Sequence, residues 1–267
     1  MDTTSAKRFA VVTGASSGIG RELAKQFAQH GFDLLVTSTG PDIAEAAREL
    51  EGFGAHVETA TADLATYDGV ESLYRAIQGA GRPVDAIAIN AGVGVGGDFT
   101  KQTELRDELN LIQLNIAGTV HLAKRVLPDM VTRGQGRVLF TSSIAALMPG
   151  AFAAVYNASK AFVQSFSEAL RNEVKDTGVT ITALQPGPTD TNFFHQADMD
   201  DTKVGVSKKD DPADVAKQGF EALMAGKDHV IAGSLMTKAQ GRMAKVMPDT
   251  ATAQMHRGMA EPGSAKQ

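Results

Sequence analysis

Short apolar runs alternate with longer amphipathic stretches along most of this chain. Phe9-Ala10-Val11-Val12, Asp33-Leu34-Leu35-Val36-Thr37, Asp85-Ala86-Ile87-Ala88-Ile89 and Arg137-Val138-Leu139-Phe140-Thr141 are almost continuously apolar, as strands covered on both faces of a parallel sheet must be. His56-Val57-Glu58-Thr59-Ala60 alternates like a half-exposed strand, and Val179-Thr180-Ile181-Thr182-Ala183-Leu184 is a sixth. Between them, helical spacing predicts helices over 18–29, 42–53, 68–77, 104–131 and 152–175. Such regular alternation predicts an α/β fold: a doubly wound parallel sheet with right-handed crossovers.

The 267 residues suffice for one such domain with a large core. No repeat or low-complexity linker marks a boundary, so 1–267 is read as a single domain with its core over 8–232. Two segments differ in texture. Residues 192–211 are polar and acidic and end in Asp211-Pro212-Ala213-Asp214, an N-cap with proline in the first helical turn. Following the sixth strand, this segment is either a substrate loop closing over a ligand or a plain surface loop. Residues 234–267 carry Met236, Met243, Met247, Met255 and Met259 and predict two short amphipathic helices around Pro248. They would dock on the parent domain first, meet another subunit or cover a substrate second, and bind a membrane surface last.

Charge and composition narrow the classes. A net charge of -5 argues against a nucleic-acid surface. The absence of cysteine excludes disulfides and thiolate chemistry. No apolar stretch reaches the roughly 18 residues of a membrane span, and Met1 to Ala10 lacks the apolar core of a leader. The expectation is a soluble cytoplasmic protein. His30, His56, His229 and His256 have no metal-ligand spacing, and no metal is expected. His121 and His195 read as surface or loop residues.

Two motifs carry the chemistry. Thr13-Gly14-Ala15-Ser16-Ser17-Gly18-Ile19-Gly20 follows a strand and opens a helix. Gly14 permits a tight turn, Gly18 a close backbone approach to a pyrophosphate and Gly20 helix–sheet packing, while the helix N-terminus offers N–H groups to phosphate. Alone, the turn also admits a plainer reading in which glycine merely supplies positive φ. Tyr156 and Lys160 stand one helical turn apart, on one face. A cation about 5 Å from a phenolate, at an effective dielectric of about 20, favours it by about 3 kcal/mol. That predicts a tyrosine acidified by roughly two pKa units, able to give and take a proton. Without context, a buried aromatic beside a solvated lysine explains the same spacing.

These motifs resemble the short-chain dehydrogenase/reductase family, in its compact single-domain branch, over about residues 8–232. The marks are Thr13-Gly14 to Gly20, Asp63-Leu64, Asn90-Ala91-Gly92-Val93-Gly94, Asn115, Ser142-Ser143, Tyr156 to Lys160 and Pro186-Gly187-Pro188-Thr189-Asp190-Thr191. The resemblance implies a Rossmann-type sheet in the order 3-2-1-4-5-6-7 and a bound NADP or NAD. It implies cofactor contacts from Gly14, Ser16, Ser17, Gly18, Ile19 and Gly20, from Asp63 and Leu64 at the adenine, and from Asn90 and Gly92. Pro186, Gly187, Thr189 and Thr191 would meet the nicotinamide, and Tyr156 and Lys160 its ribose. The acid that closes the second strand in NAD-dependent members is missing; Thr37, Ser38 and Thr39 stand there instead. Those hydroxyls suit a 2′-phosphate, so NADP is the expected cofactor, with Arg21 either reaching it or solvated.

The same resemblance implies that Ser143 and Tyr156 hold a carbonyl oxygen while Tyr156 delivers the proton. Lys160 would tune Tyr156, and Asn115 would bend its helix and connect Lys160 to solvent. Ser142 is read as structural. The substrate is expected to be a small, apolar carbonyl or alcohol, bounded by Ala145 to Phe152, Val93 to Phe99 and residues 192–207, with Leu147, Met148, Phe152, Phe193 and Phe194 as lining. A homodimer or homotetramer is implied. A nucleotide-binding sensor that has lost turnover stays open, since fold alone does not dictate function.

Overall fold

The computed structural model describes residues 7–266, so most of the stretch read for a leader lies outside the described residues. Seven strands form one sheet: β1 (Arg8–Thr13), β2 (Phe32–Ser38), β3 (Val57–Thr61), β4 (Ala86–Ile89), β5 (Gly136–Thr141), β6 (Val179–Pro186) and β7 (His229–Ala232). Their order is β3-β2-β1-β4-β5-β6-β7, and every neighbouring pair is parallel. The helices are α1 (Gly18–Gln29), α2 (Ile43–Glu51), α3 (Tyr67–Gly79), α4 (Leu105–Ile112), α5 (Thr119–Arg133), α6 (Ala154–Glu173), α7 (Phe193–Gln196), α8 (Lys203–Val206), α9 (Pro212–Met224), α10 (Leu235–Ala244) and α11 (Asp249–Ala260). This is the Rossmann-type doubly wound architecture that the alternation of elements predicts.

The apolar stripes of the helices choose their faces. Leu23 and Phe27 of α1, Ile43 and Leu50 of α2, and Val215, Phe220 and Leu223 of α9 bury against one side of the sheet. Val70, Leu73 and Ile77 of α3, Leu122, Val126 and Met130 of α5, and Val163 of α6 cover the other. With both faces covered, the central strands have no exposed side, which accounts for their lack of alternation. Strand order reverses between β1 and β4, and the crevice beyond their carboxyl ends is where ligands bind in such sheets.

Two regions depart from the sequence expectation. The long helix over 104–131 is interrupted by a wide π turn, Gln113–Gly118, containing Asn115. Residues 192–211 are not one loop: they hold α7 and α8 and a parallel bridge from Thr189 to Asp210. Asp211 caps α9, accepting from the Ala213 amide at 2.8 Å with Pro212 behind it. The two helices expected around Pro248 are α10 and α11. The chain after α11 fastens onto the α7–α8 segment: the Ala265 amide donates to the Asp201 carbonyl (2.9 Å), the Gly263 amide to the Asp201 carboxylate (2.8 Å) and the Lys203 amide to Ser264 Oγ (3.0 Å). Among the described residues, no helix is long and apolar enough to cross a membrane.

Candidate active site

The glycine turn sits at the carboxyl end of β1. Gly14 (φ 67°) and Gly18 (φ 53°) adopt the left-handed conformation that other residues avoid. A Cβ on Gly20 would lie 2.1 Å from the Gly14 carbonyl oxygen and 2.5 Å from Asn90 Nδ2, so α1 can close on the turn only without a side chain there. Asn90 stitches three strands: its Nδ2 donates to the Thr13 carbonyl (3.1 Å), its amide to Thr13 Oγ1 (2.9 Å), and its Oδ1 accepts from Thr141 Oγ1 (2.9 Å). Ser17 ends the turn in extended conformation with no side-chain cap on α1, leaving the first amides of the helix to a ligand.

One continuous cleft of about 440 Å³ runs from this turn to Tyr156. Gly14, Ser16, Ser17, Gly18, Ile19, Gly20, Thr37, Ser38, Thr39, Leu64, Asn90, Gly92, Ser143, Tyr156, Lys160, Pro186, Gly187, Thr189 and Thr191 all line it. Thr37 Oγ1 is sealed from solvent and has no partner among the described residues, an orphan hydroxyl at the end of β2. Two expected residues stand apart. Asp63 does not line the cleft; its exposed carboxylate accepts from the Ala65 amide at 3.0 Å, and the cap of α3 is Thr66. Arg21 is neither free nor in the cleft. Glu49 on α2 takes its Nε at 2.8 Å, with Glu45 at 3.6 Å, and that hydrogen bond to Glu49 raises the guanidinium pKa further.

The reacting end is built by β5, α6 and the π turn. Ser143, buried just past β5, accepts from the Ala145 amide at 3.0 Å. Ser142 donates to the Lys160 carbonyl at 3.1 Å, the structural role expected of it. Asn157 anchors the loop before α6, donating to the Ala145 and Met148 carbonyls at 3.1 Å each. Lys160 is buried, and its ammonium donates to the Thr141 carbonyl at 2.9 Å. Asn115 lies one layer behind the cleft and clasps Val93, accepting from its amide at 3.0 Å and donating to its carbonyl at 2.9 Å. Gly92 separates the cleft from this pair: a Cβ there would stand 3.0 Å from Asn115 Oδ1 and 3.3 Å from Lys160 Nζ.

The electrostatics correct the expected acidified tyrosine. Burial pushes the Tyr156 phenol up to about 12, with the Ser143 hydroxyl pulling the other way, and burial draws Lys160 down to about 8. The Lys160 nitrogen stands 5.9 Å from the phenol ring centroid. Helical spacing gave the shared face correctly. It could not show that both groups leave water together, and desolvation opposes phenolate and ammonium alike. At neutral pH, Tyr156 is therefore a protonated donor rather than a ready base.

The outer wall differs in part from the expectation. Met148, Phe193 and Phe194 line the cleft as expected, joined by Met199 and Val204. Leu147 and Phe152 do not; Phe152 packs onto the apolar cluster of Phe194, Met199 and Val204 that backs this wall. The tail does cover the cleft, one of the roles expected of it: Met255 and Met259 of α11 close the far side together with Gln240 of α10 and His256, which sequence reading did not single out for it. Their only signal was the methionine-rich texture of the tail. His121 pairs with Glu71 and His195 with Asp200, both away from the cleft. Among the described residues, no three His, Cys, Asp or Glu side chains come together as a metal site.

Comparison with known proteins agrees with this geometry. The family model described as short chain dehydrogenase matches residues 8–202. An uncharacterized oxidoreductase of Staphylococcus saprophyticus is 32% identical over 218 residues, 81% of this chain and 91% of that one. An NADP-dependent 3-hydroxy acid dehydrogenase of Salmonella typhi is 30% identical over 197 residues, 73% of this chain and 79% of that one. Among solved structures, a short-chain dehydrogenase from Sphingobium yanoikuyae in complex with NADPH superposes with a TM-score of 0.78 at 27% identity, covering 84% of this chain and 87% of its own. With the seven-stranded parallel order and the glycine turn at its switch point, these matches place the chain in the short-chain dehydrogenase family of oxidoreductases.

Proposed function

We propose that the protein is an NADP-dependent oxidoreductase that reduces a small ketone or aldehyde to the alcohol, with Tyr156 as the proton donor. One observation carries the reading: the cleft that begins at the glycine turn ends at Ser143, Tyr156 and Lys160. The residues fit a nicotinamide dinucleotide. Gly14, Gly18 and Gly20 leave room that a Cβ would fill, and the uncapped start of α1 suits a pyrophosphate. Gly92, Pro186, Gly187, Thr189 and Thr191 would hold the nicotinamide half, and Lys160 its ribose. Asp63 would reach the adenine from the rim, and Leu64 from the wall.

NADP is favoured over NAD because Thr37, Ser38 and Thr39 replace an acid that would repel a 2′-phosphate. The NADP-dependent relative and the NADPH-bound neighbour support the same choice. Arg21, engaged by two glutamates, does not.

When bound, the nicotinamide supplies or accepts the hydride. Everything else falls to the chain. Ser143 and the neutral Tyr156 donate to the carbonyl oxygen, where negative charge develops during reduction. Tyr156 then releases its proton to that oxygen; in the reverse direction its phenolate takes the proton back. Lys160, charged below about pH 8, is the cation beside that phenolate. Asn115 fixes Val93 and the back of the site. Leu105 and Leu109 on α4 and Phe162 on α6 are exposed apolar side chains and support a homodimer or homotetramer.

The test is a panel of ketones, aldehydes and alcohols followed at the absorbance of NADPH and of NADH. Turnover with NADPH preferred is expected. Tight NADPH binding with no turnover across the panel would instead mark a nucleotide sensor.

A further inference from the structure

The outer wall of the cleft comes from α11, beyond the residues that the family model matches. Met148, Phe193, Met199, Met255 and Met259 make the cleft here largely apolar, with Gln196 and Gln240 as neutral amides, and apart from Tyr156 and Lys160 His256 is the only titratable side chain lining it among the described residues. His256 Nδ1 lies 2.9 Å from the Ala151 carbonyl oxygen. A carbonyl oxygen can only accept, so Nδ1 carries the proton and the neutral ring keeps its lone pair on Nε2. Among the described residues Nε2 has no protein partner and is not sealed from solvent, and His256 lines the cleft, which leaves that lone pair open to a ligand there.

The ring is held firmly. Phe152, next to Ala151, has φ 63°, a conformation that bulky residues rarely adopt. Its carbonyl accepts from the Gly97 amide at 2.8 Å, and the Arg257 guanidinium stands 4.9 Å over its ring. Consecutive residues of α11 thus grip consecutive residues just before the helix of Tyr156. Burial holds the His256 pKa below its ordinary value, with the Ala151 hydrogen bond pulling the other way, which keeps the imidazole neutral near pH 7.

We propose that His256 is a specificity-determining residue whose Nε2 accepts a hydrogen bond from a hydroxyl of the substrate, selecting an uncharged hydroxy ketone, or the corresponding diol, over a plain ketone or a keto acid. The inference rests on the proposed carbonyl reduction and names its substrate class. A carboxylate would bring lone pairs against a lone pair, and among the described residues no arginine or second lysine lines the cleft to receive it. The 3-hydroxy acid named for the Salmonella typhi relative carries such a carboxylate, so the two proteins should part in specificity here.

The test compares ω-hydroxy ketones of graded length with the matching plain ketones and keto acids, by kcat/KM with NADPH and by Kd for the NADP⁺ complex. Wild type should favour one hydroxy ketone by about 10-fold, the worth of one satisfied hydrogen bond. His256→Asn, which keeps a donor near Nδ1 for Ala151, should lose that preference, costing the hydroxy ketone about 10-fold more than the plain ketone. His256→Gln, which restores an oxygen near Nε2, should recover part of it. Equal loss on hydroxylated and plain ketones, or a wild-type preference for the keto acid, would overturn the role of His256 while the reductase reading stands. Binding preference without turnover of any member would overturn the reductase reading and uphold the contact; absence of both removes both.

Discussion

Replacing Lys160 with methionine isolates the consequence of burying an ammonium beside Tyr156. Lys160 is 6% exposed, and burial lowers its pKa from 10.5 to about 8. In the unfolded chain it titrates near 10.5, so between those values the unfolded state holds a proton that the native state has released. Stability therefore rises with pH through this window: the contribution is complete above 10.5 and is lost as pH falls through about 8. Integrated from pH 7 to pH 10, the difference is about 2.5 kcal/mol. Methionine is of similar length and carries no charge, so Lys160→Met lacks this dependence, whatever it gains or loses at the Thr141 carbonyl. Urea denaturation of both proteins at pH 7, 8, 9 and 10 gives the wild-type-minus-variant stability at each pH, free of titrations the two share. We expect that difference to climb by about 2.5 kcal/mol. A flat or falling difference would refute the claim that burial governs this lysine.

Asn115→Ala removes the clasp on Val93 and should lower stability by about 2 kcal/mol in urea titrations. Its kcat should fall more than its NADPH affinity, because Asn115 lies behind the cleft rather than in it. Gly20→Ala would put a methyl 2.1 Å from the Gly14 carbonyl oxygen, a backbone atom with nowhere to go. Loss of NADPH binding by fluorescence titration, with a lower Tm, is expected. Gly258→Ala, in α11 with open space around its Cβ position, should instead raise stability by about 0.5–1 kcal/mol and leave kinetics unchanged.

The sheet was legible because each central strand is covered on both sides and so reads as an unbroken apolar run; Val11, Leu35, Ile87 and Leu139 need no alternation to announce themselves. The cofactor end was legible for a related reason: Gly14, Gly18 and Gly20 are glycines for steric causes that act locally. What escaped was anything set by desolvation or by distant packing. Tyr156 and Lys160 show their common face in their spacing, yet their pKa values depend on how much water the folded cleft admits. Arg21 looked available until Glu45 and Glu49 came across from α2. Asn115 gave a local hint, as an asparagine inside a helix, but spacing alone does not show a π turn. His256 carried no signal, since its partner Ala151 is 105 residues away and the strained φ of Phe152 has no sequence mark.

The central claim is that Tyr156 gives its proton to a carbonyl oxygen in the cleft that starts at the glycine turn. Tyr156→Phe tests it most directly, measured as NADPH dissociation constant and as kcat on the best ketone. The account predicts a dissociation constant within about 2-fold of wild type and a kcat lower by at least about 100-fold, the range for loss of a general acid. Wild-type turnover from a protein that lacks the phenol would contradict it.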